Sequence, residues 1–187
     1  MKYRDIPQFT RQAGYAVDVP WDYLPEHIKH YQNDYKLDLD PDFQRPHVWD
    51  DTKRTRYVEY ILRGGIYGRD VYLNCTGWDS DRIGACVLVD GKQRIEAVCR
   101  FLDNKLPIFG GHYRQDFEDR LRITGPSFKW HVNSLKTRAE VLSWYLDLNS
   151  GGVVHTEEEL DRVRQLLEEE KAKNAQATKH RGPVRSK

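Results

Sequence analysis

A chain of 187 residues with 39% hydrophobic content supports one core of ordinary size. Lys and Arg number 30 against 29 Asp and Glu, so the chain as a whole is not polybasic, and any contact with nucleic acid must come from a local patch. No run approaches the roughly 18 apolar residues of a spanning helix, and the opening MKYRDIPQFTRQ has no apolar stretch after its charges, so an intracellular, cytoplasmic protein without a membrane partner is expected.

Residues 15–20, YAVDVP, alternate apolar and polar and predict a first strand that Pro20 ends. A helix is predicted from Pro25 to about Tyr35, with proline in its first turn and Ile28, Tyr31 and Tyr35 on one stripe. The segment 36-KLDLDP-41 alternates again, as a short strand or an extended approach to Gln44-Arg45. Asp50 or Asp51 then caps a helix from Thr52 to Arg63, whose Tyr57, Val58, Ile61 and Leu62 form an apolar stripe and whose stop is Gly64-Gly65.

Strands are expected at 70-DVYLNC-75 and 85-ACVLVD-90, the second apolar enough for a central place in a sheet, with 76–84 a polar surface loop. A helix over 92–103 carries Ile95, Val98, Cys99 and Leu102 on one stripe. Further strands are expected at 105–109 and 127–132. Two capping boxes, Thr137-x-x-Glu140 and Thr156-x-x-Glu159, open helices to about Leu148 and Ala172, joined by the glycine-containing 149-NSGGVVH-155. From Asn174 the apolar period is lost, so the expected organisation is a single domain over 1–173 and a disordered basic tail over 174–187. The fold class is α+β, a small mixed sheet flanked by helices with further helices at the C-terminal end.

Cys75, Cys86 and Cys99 lie far apart with no C-x-x-C, a pattern that encodes neither a disulfide framework nor a structural metal site and suits a reducing compartment. The seven histidines are isolated from any obvious Asp or Cys partner in sequence, and neither a Gly-x-Ser-x-Gly elbow nor an H-E-x-x-H pair is present.

The candidate site is 90-DGKQR-94, where a strand turns directly into a helix. Such a helix N-terminus offers backbone N–H groups and the positive end of a dipole to an anion, and Gly91 permits a tight turn. Arg94 and Lys92 would add cations, and Asp90 would orient Arg94, hold a Mg2+ bridged to phosphate, or act as a base. Upstream, 43-FQRPHVW-49 sets Arg45 before a proline, which holds it extended, and Gln44 has an amide that both donates and accepts. The alternative is a plain turn whose Lys92 is solvated and whose Arg94 pairs with a neighbouring helix, with Phe43 and Trp49 as core anchors.

Phe43-Gln44-Arg45 with Trp49, a helix, a glycine-rich turn and then Asp90-Gly91-Lys92-Gln93-Arg94 resembles the N-terminal domain of the S subunit of GmrSD-type, modification-dependent restriction enzymes. That family's turn reads Asp-Gly-Gln-Gln-Arg, and Lys92 stands here in place of the first Gln. More distantly the arrangement is similar to the ParB and sulfiredoxin-like fold, and the compact form looks like proteins encoded by tailed bacteriophages. The resemblance implies nucleotide binding and hydrolysis coupled to DNA cleavage beside a separate HNH-type nuclease. Asp90, Gln93, Arg94 and Gln44 would be catalytic, Gly91, Lys92, Arg94 and Arg45 would hold an NTP, and Asp90 would reach Mg2+. The rival readings are a stand-alone metal-dependent DNA endonuclease and a non-catalytic module that binds DNA or a host protein.

Overall fold

The computed structural model describes residues 14–44, 49–78, 84–118, 125–149 and 157–180. The strands are β1 (Tyr15–Pro20), β2 (Asp70–Cys75), β3 (Cys86–Asp90) and β4 (Ser127–Asn133), and the helices are α1 (Leu24–Tyr35), α2 (Asp51–Leu62), α3 (Lys92–Leu102), α4 (Arg138–Asn149) and α5 (Glu157–His180). The chain divides into two compact units, one made of Gln12–Ser134 and the other carrying α4 and α5. The class is α+β, as expected. No helix is long and apolar enough to cross a membrane, among the described residues.

In the first unit the four strands form one mixed sheet in the order β1-β4-β2-β3. β4 is antiparallel to β1 and parallel to β2, and β2 is antiparallel to β3. Alternation sends Val19, Val71, Leu73, Leu88, Phe128, Trp130 and Val132 into one buried cluster with Ile28 and Tyr31 of α1, Val58 and Ile61 of α2, and Ile95, Val98 and Phe101 of α3. Each Val, Leu, Ile or Phe side chain among them contributes about 1.5–3 kcal/mol on full burial. The helix starts follow the expected chemistry: the Asp50 carboxylate accepts from the Lys53 N–H at 2.8 Å and so caps α2.

Several expectations are corrected. β3 lies at an edge of the sheet, not in its centre. Its apolar content reflects burial of both Leu88 and Val89, which alternate across the strand and are each fully buried. The segment after α1 supplies only an isolated bridge, Asp38 to Val87, yet that bridge covers the open edge: the Leu88 N–H donates to the Asp38 carbonyl at 2.8 Å and the Asp38 N–H to the Cys86 carbonyl at 2.9 Å. Residues 105–109 form no strand. Leu106 and Ile108 still bury in the core, with Ile108 bridged to His112.

The cysteines depart furthest from expectation. Cys75 and Cys86 sit directly opposite each other as the last pair of the β2–β3 hairpin, 4.1 Å apart at Cα, and are joined by a disulfide. Eleven residues of sequence separation give no sign of this, because only the strand pairing sets them face to face. Burial, with Asp103 and Glu96 adding to it, pushes the remaining Cys99 thiol up to about 11, which leaves it chemically quiet.

In the second unit the Thr137 box forms as expected: the Glu140 N–H donates to the Thr137 hydroxyl at 3.2 Å, and the Thr137 N–H donates to the Glu140 carboxylate at 2.9 Å. Thr156 lies outside the described residues. α5 runs on through His180, past Asn174, so part of the expected tail is helical. Glu–Lys pairs such as Glu168–Lys171 and Glu170–Lys173 bridge successive turns there.

Candidate functional site

The turn from β3 into α3 is built as the sequence suggests. Gly91 is the N-cap of α3 with φ +115°, a left-handed conformation, and it contributes no side chain to close the helix end. A Cβ at Gly91 would also press on Val71, with Cγ2 at 3.0 Å. The glycine thus permits close packing of the turn on β2.

Asp40, Gln44 and Trp49 bond to this turn and to the strand before it. Lys92, though 8% exposed, forms an ion pair with Asp40. The Gln93 side-chain oxygen accepts from the Trp49 N–H at 3.1 Å. Gln44 is buried, and its amide donates to the Leu88 carbonyl at 2.7 Å, completing the edge of β3 just before the turn. Arg45 lies outside the described residues, as does His47.

Arg94 occupies the centre of a second cluster. One guanidinium nitrogen donates to the Asp90 carboxylate at 2.6 Å and to the Asp70 backbone carbonyl at 2.9 Å. Burial works against its charge, but the Asp90 carboxylate, by proximity and hydrogen bond, more than offsets this and holds Arg94 cationic above its ordinary range. Asp90 is therefore spent on Arg94, the first of the roles open to it.

Around this pair the structure gathers residues that are scattered in the sequence. Tyr72 sits opposite Asp90 across β2–β3 and opposite His131 across β2–β4, so Asp90, Tyr72 and His131 form one row across three strands. The His131 ring stacks on Tyr72 at 4.7 Å and 13°, and its Nε2 meets the Asp70 carboxylate at 2.7 Å. Asp70 thus links Arg94, through its backbone, to His131, through its side chain. Burial and the charges of Asp70 and Asp90 raise the Tyr72 phenol above its ordinary value. Tyr57 of α2 donates to the Gly68 carbonyl at 2.7 Å, and burial holds it protonated well above the usual tyrosine range.

His131 has no partner near it in sequence, and the structure gives it a carboxylate 61 positions away. Strand alternation puts Asp70 and Tyr72 on one face, but the β2–β4 pairing that brings in His131 is parallel and leaves no local signal. The arrangement can do acid–base chemistry: with Asp70 taking the Nε2 proton as a hydrogen bond, Nδ1 keeps a lone pair. Among the described residues no group of three or more His, Cys, Asp or Glu is placed to hold a metal ion.

No curated protein and no solved structure is similar enough to this chain to count as a match. A family match covers residues 27–181, which take in α2 to α5, most of α1, the turn at Asp90–Arg94 and the His131–Asp70 pair. The chain accordingly belongs to the family of the N-terminal domain of GmrSD restriction endonucleases.

Proposed function

We propose that this chain is a nucleoside-triphosphate-binding and hydrolysing domain of a DNA-processing, restriction-type system, with the phosphates seated on the first turn of α3. The observation that carries the reading is the α3 N-terminus itself: a glycine cap without a side chain, in a left-handed turn, followed at once by Lys92 and Arg94. Phosphates would take the backbone N–H groups of this turn and draw the Lys92 ammonium from Asp40, whose side chain is 75% exposed and loses little by returning to water. Arg94 stays on Asp90 and contributes its charge from a fixed position. Gln44, Gln93 and, by family resemblance, Arg45 organise the segment that covers the nucleotide.

The side chains present do not form a resident metal site, since Asp90 is paired with Arg94 and no cluster of three ligating residues stands nearby among the described residues. Mg2+ on this reading arrives on the nucleotide, as it does where phosphates supply much of its coordination. That donor set also weighs against a stand-alone metal-dependent endonuclease. On this reading His131 is the base for hydrolysis. Its Nδ1 takes a proton from water as the water oxygen bonds the γ-phosphorus, the bridging P–O bond breaks with its electrons leaving on the diphosphate, and the imidazolium is held by Asp70 until it returns the proton to solvent.

Calorimetric titration with ATP, GTP and CTP in the presence of Mg2+ tests the binding step. Saturable binding to one of them is expected, weakened about tenfold or more by Lys92→Gln, consistent with loss of a charge-assisted contact. Absence of binding to all of them removes the reading. Phosphate release measured on His131→Ala separates the second step: unchanged affinity with release slowed about 10²–10⁴-fold is expected for a lost general base, and an unchanged rate would return the role to another residue.

A further inference from the structure

The C-terminal end of α2 carries chemistry that the α3 turn does not use. Arg56, Tyr60 and Arg63 stand at i, i+4 and i+7, so one exposed face of α2 presents two guanidinium groups with an aromatic ring between them. With Glu59, Gly64 and Gly65 these residues line a cleft of about 450 Å³. The Tyr60 ring rests against the backbone of Gly65, where a Cβ would collide with it, and its hydroxyl accepts from the Tyr67 N–H at 3.3 Å. The ring is therefore fixed from one side and remains 41% exposed on the other. Ile66 and Tyr67 project beside it, 67% and 76% exposed.

Two guanidinium groups and one carboxylate line this face, so it keeps a net positive charge. Among the described residues neither Arg56 nor Arg63 has an ion-pair partner; Arg63 lies over the Phe109 ring, 5.1 Å from its centroid. The lining has one acid, Glu59, and its Oε1 is engaged by the Phe109 N–H at 2.6 Å. Arg54, on the inner face of the same helix, is bonded instead to Asp51 and Glu96. Unpaired guanidinium groups flanking an open aromatic face match a polyanion that also has flat rings to stack.

We propose that this cleft binds an unstacked nucleotide of a single DNA strand, with Arg56 and Arg63 on the flanking phosphates and the Tyr60 ring against the base. Phosphate contacts supply the affinity and its salt dependence, and stacking on Tyr60 distinguishes a single strand from a duplex whose bases are already stacked. Gly65 is the positioning residue: its φ is not in the left-handed region, so its lack of a side chain serves the ring and not the turn. The cleft shares no residue with the α3 turn, and the proposal stands whether or not a nucleotide binds there.

Fluorescence anisotropy of labelled oligo(dT), and of a duplex of equal length, titrated with the full chain across a salt series provides the test. The wild type is expected to bind oligo(dT) more tightly than duplex. Arg56→Gln with Arg63→Gln should weaken oligo(dT) binding at least tenfold and reduce the log–log salt slope by about 1.4, two phosphates at about 0.7 each. Tyr60→Ala and, independently, Gly65→Ala should each cost about 5- to 100-fold on oligo(dT) and little on duplex, as expected for one lost stack. Lys171→Gln with Lys173→Gln on α5 should leave both unchanged. Unaltered affinity in the double arginine variant, an equal loss in the α5 control, or a neutral Tyr60→Ala with duplex bound as tightly as single strand would each overturn the proposal. Circular dichroism of every variant shows whether the fold is retained, and Tyr60→Ala keeps the test decisive if Gly65→Ala does not fold.

Discussion

The first turn of α3 and the outer face of α2 both concentrate cations and treat them in opposite ways. At the turn, Lys92 meets Asp40 and Arg94 meets Asp90 and the Asp70 carbonyl, so each charge is matched inside the unit. On α2, Arg56 and Arg63 face outward without an acidic partner among the described residues. A cation's use thus depends on whether the fold has already satisfied it. Paired cations set geometry and receive a ligand by exchange, as Lys92 would for a phosphate. Unpaired ones offer their charge directly.

Substitutions in the two regions test this contrast, and the turn should respond most. Gly91→Ala combines a strained left-handed φ with pressure on Val71, and should cost about 2–4 kcal/mol in urea unfolding. A neutral result would mean that the turn is less tightly built than its packing indicates. Arg94→Ala strands the Asp90 carboxylate and the Asp70 carbonyl, and a loss of about 1–3 kcal/mol is expected for charged hydrogen bonds of this kind. Tyr57→Phe removes only the bond to the Gly68 carbonyl and should cost about 1 kcal/mol by the same measurement. Arg63→Gln should cost about 0.5–1 kcal/mol for its contact with the Phe109 ring, and Arg56→Gln should stay within about 0.5 kcal/mol, because an exposed charge without a partner contributes little to folding. A large destabilisation there would erase the distinction between the two regions.

Much of the first unit is legible from local pattern. The strands at 15–20, 70–75 and 86–90 and helices α1, α2 and α3 follow alternation, capping and glycine stops, all of which act over a few residues. The Thr137 box marks the start of α4 for the same reason. The misreadings are non-local. β3 reads as central because apolar content reports burial on both faces and not the number of strand neighbours. Residues 105–109 read as a strand because Leu106 and Ile108 are core residues, although their backbone has no ladder to join. The Cys75–Cys86 bond needs the hairpin register, and spacing alone argues against it.

The candidate site divides the same way. Asp90, Gly91 and Arg94 are contiguous enough to be recognised as one turn, and they form one. Gln44, expected opposite the turn, donates to the Leu88 carbonyl at the edge of β3, and Gln93 accepts from the Trp49 backbone. The grouping of His131 with Asp70 and Tyr72 escapes a sequence reading, because β2 and β4 are joined by a parallel pairing and His131 lies 61 positions from Asp70.

The α+β class, most element boundaries, the family and the turn at Asp90–Arg94 are all written in short-range periodicity, capping chemistry or a contiguous motif, and the amino-acid order alone is enough to find them. Strand order, the disulfide, the His131–Asp70 pair and the division between spent and open cations exist only once the chain has folded. Pairing across a sheet and neutralisation of charge depend on what lies opposite in space, which local sequence does not encode.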